Sequence, residues 1–414
     1  MRREGERDKV RAPIFSLALL LAAVARAAIV ADANIPAGNG EVCYVRGDEV
    51  CIRQEQRDSP WWFYWAFRIR GAAGKTVKVV FHPSYKEGPV SNMGPAVSRD
   101  RGRTWAYAAK EHDHFGFVYE FGPGEDEVWF SQTIPYLPDD WSAFLARHSG
   151  ERGKFFAAEE LCKSRKGRSV PIVRFGRIDG KGRYKVLLTA RHHCQETMAS
   201  YVLEGLLESV LSGGKAGEWL RDNAEIVAVP FMDIDGAIAG DQGKNRRPHD
   251  HNRDYYSFIY PETRALRDWV AGYFSWSIDA LIDLHCPWVH GEYEERVFQV
   301  YGQNPAASAA QVRFGDVLEK CQAGSLDYRR AQDFAWNFRW NSNSNYKSGC
   351  GIKSWAMQEL KKTRLVTTFE IPFSKANART VDAASARAFG RDLAEALARF
   401  LKEEPEVMCL KKEG

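Results

Sequence analysis

The sequence has little net charge, few cysteines and no long apolar run beyond its first residues. Its net charge is only +4, from 58 Lys and Arg against 54 Asp and Glu, which argues against a nucleic-acid partner held by phosphate contacts. Eight cysteines in 414 residues, without a CxxC pair, argue against a disulfide scaffold or a zinc knuckle. The 44% hydrophobic and 13% aromatic content predicts instead a globular chain of two domains.

Residues 1–27 have the pattern of a signal peptide. Basic residues between Arg2 and Arg11 precede an apolar run from Ile14 to Val24, and Ala25-Arg26-Ala27 provides a small-x-small cleavage site. The apolar run is shorter than the ~20 residues that cross a bilayer. We therefore expect export to the periplasm or the medium, with no membrane span after cleavage. Acidic residues between Glu4 and Asp8 leave open a misplaced start codon or an uncleaved interfacial anchor.

Residues 34–150 are predicted to form an all-β sandwich. Short segments rich in aromatic and β-branched residues are separated by Gly, Pro, Asp and Asn. The clearest are 62–69, 76–81, 115–121 and 128–130. The many aromatic side chains are expected in the sandwich core, although a surface for stacking sugars or nucleotides is the alternative. Cys43 and Cys51 could form a disulfide across a hairpin or remain free thiols.

Residues 160–405 are predicted to form an α/β catalytic domain. Apolar strand candidates alternate with amphipathic helices, which favours a largely parallel sheet covered on both faces. The strand candidates are 184–190, 226–231, 278–284, 297–301 and 365–371, and the helix candidates are 197–211, 262–274 and 383–401. In such sheets, active sites collect at the carboxyl ends of strands.

Three polar clusters follow predicted strands and suggest a metal site. His193 and Glu196 follow the first strand, His285 ends the third, and Glu370 ends the last. Two imidazoles and one carboxylate match a type of catalytic zinc site that leaves a fourth position open for water. We expect one Zn²⁺ per chain on His193, Glu196 and His285, with Glu370 as general base.

Each part of this site has an alternative. His192 is a rival first ligand, because it lies four residues before Glu196. A single His-x-x-Glu is more often an ordinary hydrogen-bonded pair. Cys194 and Cys286 adjoin proposed ligands, but neighbours along a strand point to opposite faces, so both are expected to be packing residues. The basic loop 243–255 either supplies a carboxylate clamp and an oxyanion donor, or is a solvated charged loop.

Taken together, the motifs resemble those of the zinc metallocarboxypeptidase family. His193-Cys194-Gln195-Glu196, Asp250-His251-Asn252-Arg253, Asp283-Leu284-His285 and Phe369-Glu370-Ile371-Pro372 occur in the family's order, over roughly residues 160–403. Cys-Gln replaces the usual Pro-Gly between the first two ligands. The aromatic sandwich before the catalytic domain is similar to the branch that includes the cytosolic carboxypeptidases, although the export signal contradicts a cytosolic location.

The resemblance implies a fold and a set of residue roles. It implies an α/β/α sandwich with a mixed eight-stranded sheet, and hydrolysis of the amide bond beside the C-terminal carboxylate of a peptide or protein substrate. Asn252 and Arg253 would hold that carboxylate, Tyr346 would cap the substrate, and Asp250 would orient a ligand histidine. Arg246 or Arg247 would stabilise the oxyanion. The alternatives are a zinc deacylase acting on small N-acyl compounds, and a binding module with a dead site.

The resemblance also leads to a prediction about the specificity role of Lys353. This residue lies seven residues after Tyr346, where the family contacts the substrate's terminal side chain, and a cation there would favour C-terminal Glu or Asp. The alternative is an exposed lysine, with Ile352 forming the pocket floor after a one-residue slip. The sequence leaves both open, together with the oligomeric state.

Overall fold

A computed structural model describes residues 28–61, 63–82, 86–360 and 363–403. The predicted signal peptide lies outside these residues. The first part of the described chain consists of ten short strands: β1 (Val30–Asp32), β2 (Glu41–Arg46), β3 (Glu49–Arg53), β4 (Ala66–Arg70), β5 (Thr76–Phe81), β6 (Ala96–Ser98), β7 (Ala106–Tyr107), β8 (Glu111–His112), β9 (Gly116–Glu120) and β10 (Glu127–Ser131).

These strands form two five-stranded sheets, in the orders β1-β4-β10-β6-β7 and β2-β3-β5-β9-β8. All pairs are antiparallel except β3 with β5. Aromatic rings fill the core of this region, with the Trp65 and Phe81 rings 4.7 Å apart and those of Phe117 and Phe130 5.3 Å apart. The aromatic residues of the strands are thus mainly core residues, as expected. Cys43 and Cys51 are free thiols.

The second part of the described chain begins with a helix. Helix α1 (Pro138–Arg147) buries Trp141 and Phe144 in the core of the catalytic region, although it lies inside the span predicted for the sandwich. Nine strands follow: β11 (Phe156–Lys163), β12 (Ser169–Gly176), β13 (Tyr184–Ala190), β14 (Ala224–Val229), β15 (Ala280–His285), β16 (Phe298–Val300), β17 (Leu365–Glu370), β18 (Lys375–Ala376) and β19 (Arg379–Thr380).

The central sheet has the order β11-β12-β14-β13-β15-β17-β16. Strands β14, β13, β15 and β17 are parallel, while β11, β12 and β16 pair antiparallel with their neighbours. Every residue of β14, β15 and β17 is buried, as required of strands covered on both faces. The mixed α/β class is confirmed.

The sheet has seven strands among the described residues, where the resemblance implies eight. Next to β16, Phe334 forms a single parallel bridge with Val300, and a 3₁₀ turn at Arg330–Gln332 precedes it. In this part of the described chain, strand-like pairing with the sheet edge is limited to that bridge, so no full strand forms there.

Seven further α-helices surround the sheet: α2 (Thr197–Ser212), α3 (Lys215–Asn223), α4 (Ile234–Ala239), α5 (Pro261–Tyr273), α6 (Pro305–Cys321), α7 (Ile352–Glu359) and α8 (Ala383–Lys402). Short 3₁₀ turns also occur at Ser149–Glu151, His251–Arg253 and Asn343–Tyr346. Helix α8 begins with a capping box, in which Asp382 and Ser385 each accept a hydrogen bond from the other's backbone N–H. Within the described part of the chain, no helix is both long and apolar enough to cross a bilayer.

Candidate active site

The carboxyl ends of the parallel strands bring the predicted site residues to one edge of the sheet. Strand β13 ends at Ala190, just before the His193 turn, while His285 and Glu370 are the last residues of β15 and β17. His285 and Glu370 are direct neighbours in the sheet register. Three segments that are distant in sequence therefore meet at one edge, as the alternating strand and helix pattern predicted.

His193, Glu196 and His285 form a compact group of potential metal ligands. Glu196 Oε1 lies 2.8 Å from Nδ1 of His193, and Glu196 Oε2 lies 2.7 Å from Nδ1 of His285. All three side chains are buried, and their ligand atoms lie within 4.8 Å of one another. The Glu196 carboxylate therefore contacts the Nδ1 atom of both imidazoles. Together the three side chains give a nitrogen and oxygen donor set that suits zinc.

Carboxylates also contact the other ring nitrogen of each histidine. Nε2 of His285 lies 2.8 Å from Asp283 Oδ2, and Nε2 of His193 lies 3.7 Å from Asp250 Oδ1. With a metal on the Nδ1 side, a carboxylate beside Nε2 would hold the ring proton there. At 3.7 Å, Asp250 forms no hydrogen bond with His193 Nε2. Asp250 is thus placed as the resemblance implies, and Asp283 gives His285 an equivalent partner.

His192, the rival ligand, is held away from the cavity. Its Nε2 lies 2.7 Å from the Tyr255 hydroxyl, and its Nδ1 lies 3.0 Å from Asp283 Oδ1. His192 could form a second ligand group with Asp283 and His285. However, it is fully buried and does not line the cavity that contains His193, His285 and Glu370. The geometry therefore favours His193.

Glu370 lines a cavity of about 310 Å³ together with His193 and His285. Its Oε2 is buried and has no hydrogen-bond partner among the described residues. Burial raises the pKa of Glu370 to about 7, although the charge on His285 acts in the opposite direction. A carboxyl group with a pKa near neutrality is suited to take up and return a proton.

The residues predicted to hold and cap the substrate terminus line the same cavity. Asn252 and Arg253 lie on a 3₁₀ turn, and Tyr346 ends another. The Arg253 guanidinium lies 5.3 Å from the centre of the Tyr346 ring and donates to the carbonyl oxygens of Asn252 and Asn345. The structure therefore brings together the groups that could hold a peptide terminus beside the metal ligands.

Lys353 is buried in the cavity wall, whereas Ile352 belongs to the hydrophobic core. The Lys353 ammonium donates to the carbonyl oxygens of Val300 at 2.7 Å and Tyr301 at 3.1 Å. Burial lowers the pKa of Lys353 to about 7. The alternative of an exposed lysine is therefore wrong, because α7 turns this side chain into the cavity.

The structure does not bring either predicted oxyanion arginine to the cavity. Arg246 forms ion pairs with Asp233 at 2.9 Å, Asp241 at 3.1 Å and Asp58 at 3.3 Å. Arg247 is exposed. Neither lines the cavity that contains Glu370, so the expected position of both arginines is wrong. The carboxylates around the loop attract Arg246, and the loop presents other side chains to the cavity.

Several residues that line the cavity were not predicted from the sequence. Lys244 and Asn245 come from the same basic loop, Trp288 follows β15, and Trp61 belongs to the segment between β3 and β4. The Trp61 and Trp288 ring centres are 4.4 Å apart. The basic loop was a usable signal for Lys244. No sequence pattern connects Trp61 with a site so distant along the chain.

Comparison with known proteins agrees with this geometry. Residues 142–384 match the family model described as zinc carboxypeptidase. Cytosolic carboxypeptidase 3 of Bos taurus is 28% identical over 202 residues, which cover 46% of this chain and 20% of that protein. The chain therefore spans about a fifth of the length of this relative.

Two solved structures share the fold over most of the chain. The metallo-carboxypeptidase of Burkholderia cenocepacia has a TM-score of 0.70 at 21% identity, covering 90% of this chain and 98% of that one. The metallo-carboxypeptidase of Pseudomonas aeruginosa, solved in complex with (2-guanidinoethylmercapto)succinic acid, has a TM-score of 0.67 at 20% identity, covering 90% and 99%. The similarity includes the β-rich N-terminal part as well as the α/β part.

Proposed function

Because the chain belongs to the zinc carboxypeptidase family, we propose that it hydrolyses the last amide bond of peptides with one zinc ion bound to His193, Glu196 and His285. The observation that carries the proposal is the position of Glu196, whose two oxygens meet Nδ1 of both histidines. Zinc bound there would lower the pKa of a water molecule and polarise the scissile carbonyl.

The residues around His193, Glu196 and His285 suit the remaining steps of the reaction. Arg253 and Asn252 would hold the substrate's terminal carboxylate through charge-assisted hydrogen bonds, and Tyr346 would close over it. Glu370 would take a proton from the attacking water and return it to the leaving amine. Its buried Oε2, to which no described residue donates a hydrogen bond, supports this role because it can accept that proton.

The position of Lys353 supports a preference for acidic C-terminal residues. An ammonium has three donors, and two backbone carbonyls occupy two of them. The third could bind the side-chain carboxylate of a C-terminal Glu or Asp. A substrate that ends in Leu would leave this donor unpaired in a buried site, which is unfavourable.

The proposed substrate is thus a peptide or protein C-terminus, and the proposed location is outside the cytosol. The location depends on the signal-peptide pattern of residues 1–27. N-terminal sequencing of protein recovered from the medium or periplasm should show processing near Ala27.

The test is hydrolysis of a panel of peptides that differ only in the C-terminal residue, with and without a chelator. We expect chelation to abolish activity and zinc to restore it. Glu370→Gln should keep zinc and fold but lose at least ~10²-fold in kcat, because the amide cannot accept the proton. His193→Ala and His285→Ala should lose zinc in metal analysis.

A parental rate for Glu370→Gln would show that another base acts. Full zinc content in both histidine variants would remove these residues from the metal site.

A further inference from the structure

Lys244 is a cation of the catalytic cavity that has no polar partner among the described residues. It lies in the loop between α4 and the Asp250 turn, and it lines the cavity together with His193, His285 and Glu370. Its ammonium lies 4.8 Å from the centre of the Trp61 ring. Burial has the largest effect on the pKa of Glu370, but the charge of Lys244 is near enough to lower it.

The other cations that line the cavity are already bound. Arg253 donates to the carbonyl oxygens of Asn345 at 3.1 Å and Asn252 at 2.8 Å. Lys353 donates to two carbonyl oxygens at the end of β16. An aromatic face holds an ammonium more weakly than a carboxylate does. Among the described cations that line the cavity, Lys244 therefore has the most N–H donors free to bind a substrate.

We propose that Lys244 donates a hydrogen bond to the oxyanion that develops on the scissile carbonyl, in place of the arginine expected from the sequence. This inference rests on the proposed function. As water attacks, its proton passes to Glu370 and the C=O π electrons move to the oxygen. The oxygen then re-forms the C=O bond while the C–N bond breaks and the amine takes the proton. A preorganised cation beside that oxygen stabilises the transition state more than the substrate.

The N-terminal sandwich helps to position Lys244. Ser59 Oγ donates to the Lys244 carbonyl oxygen, and the Trp61 ring lies beside the ammonium. From the catalytic side, the N–H of the next residue, Asn245, donates to Asp250 Oδ2 at 2.7 Å. Trp61 is thus a positioning residue that acts through Lys244. The active site is completed by a residue from outside the α/β region.

The test compares the parental enzyme with Lys244→Met and Lys244→Arg. We expect Lys244→Met to lose ~10²–10³-fold in kcat, with KM changed by less than about three-fold, because the interaction forms mainly in the transition state. The kcat of Lys244→Arg should be at least about ten-fold higher than that of Lys244→Met, since a guanidinium also donates to an oxyanion. Arg247→Met removes a charge from the exposed side of the same loop and is the matched control.

A binding measurement separates this role from structural damage. A phosphinic dipeptide that ends in Glu places an anionic oxygen where the oxyanion forms, so Lys244→Met should weaken its binding by about the factor lost in kcat. In a Glu370→Gln background, adding Lys244→Met should leave the affinity for the uncleaved peptide unchanged. Trp61→Leu should reduce phosphinate affinity and kcat together, by less than Lys244→Met does.

The outcomes distinguish the two proposals. If the parental enzyme cleaves no peptide of the panel, the proposed function fails. Equal phosphinate affinity of the parental enzyme and Lys244→Met overturns the role of Lys244, whether or not peptides are cleaved. A variant that raises KM and leaves kcat unchanged also overturns it, because Lys244 would then bind only the ground state.

Discussion

At the residue scale, three buried carboxylates lie around the imidazoles of His193 and His285. Glu196, Asp250 and Asp283 are each no more than 1% exposed. Buried charges are costly unless they are paired or bind a metal. Two protonated imidazoles could offset two of the three negative charges, but the ring centres are only 5.0 Å apart and the two cations would repel each other. A divalent cation offsets the same charge with neutral rings, which is an argument for a metal that does not depend on the sequence motifs.

Lys353 is expected to select acidic substrates more strongly at about pH 6 than at about pH 8.5. Its pKa is lowered by burial to about 7, so the ammonium is charged below this pH and neutral above it. The ratio of kcat/KM for peptides ending in Glu and in Leu should therefore fall by ~10-fold as pH rises. Using the ratio cancels ionisations common to both substrates, including that of Glu370.

Lys353→Met is the control for this pH dependence. Its ratio should be low and independent of pH, because the side chain carries no charge. A ratio that is the same in both proteins across the pH range would show that Lys353 only stabilises the end of β16.

The site residues that could be predicted from the sequence are those whose position is fixed by a strand end. His193, His285 and Glu370 belong to this group, because neighbouring parallel strands deliver the polar residues at their carboxyl ends to one edge of the sheet. Arg246 and Arg247 do not line the cavity, as their predicted role would require, because the contacts of a loop, rather than its net charge, decide which side chain faces inward. Carboxylates hold Arg246, and this leaves Lys244 for the cavity.

At the element scale, strongly periodic segments were predicted well. Strand β13 has the predicted bounds, and α2, α8 and β17 differ from them by one residue at one end. Strands β11 and β12 were missed. The apolar pattern of β11 is weak because it is an edge strand with much of its surface half-buried or exposed. Helix α6 was missed because several of its buried residues are alanines or otherwise small, which give only a weak apolar pattern.

Helices α2 and α8 cross at glycines, and this contact predicts a large effect of one methyl group. A Cβ at Gly205 would lie 2.1 Å from the Arg387 carbonyl oxygen, and one at Gly390 would lie 2.1 Å from that of Val202. Gly205→Ala must therefore push the helices apart. We expect it to lower the free energy of unfolding by ~1–3 kcal/mol, despite the better helix propensity of Ala.

Gly272, near the end of α5, is the matched control for Gly205. Apart from the adjoining residues and the backbone of its own helix, no atom lies within 4 Å of a Cβ placed there, so Gly272→Ala should be neutral or stabilise the protein by up to ~1 kcal/mol. Urea denaturation of both variants measures the difference. Equal effects would mean that the helix crossing relaxes without cost.

At the scale of the whole molecule, the sandwich and the catalytic region are joined next to the active site. The backbone at Gly240 approaches the sandwich so closely that a Cβ there would lie 2.3 Å from the Ala37 carbonyl oxygen. Arg57 forms an ion pair with Asp241 at 2.8 Å and also donates to the Ala239 carbonyl oxygen. These contacts hold the chain just before Lys244. They could not be predicted from the sequence, because the contact joins loop residues to the end of the short helix α4, and neither side has a periodic pattern.

Asn39 is the buried centre of this junction, and its loss should affect stability and catalysis together. Its Nδ2 donates to the carbonyl oxygens of Gly240 at 2.8 Å and Glu55 at 3.0 Å, and its Oδ1 accepts from the Glu55 N–H at 2.9 Å. Asn39→Ala leaves these backbone groups unpaired, which should lower the free energy of unfolding by ~1–3 kcal/mol. Because Gly240 leads into the Lys244 loop, we also expect kcat/KM to fall several-fold at a temperature where the variant is fully folded.

Asn34→Ala is the matched control, because Asn34 is exposed on the same segment and should change neither quantity. Chemical denaturation and steady-state kinetics on the same preparations make the comparison direct. If Asn39→Ala loses stability but keeps its parental kcat/KM, the sandwich supports only the fold, and the catalytic loop is ordered without it. If both fall together, the sandwich contributes to the active site through the segment that presents Lys244.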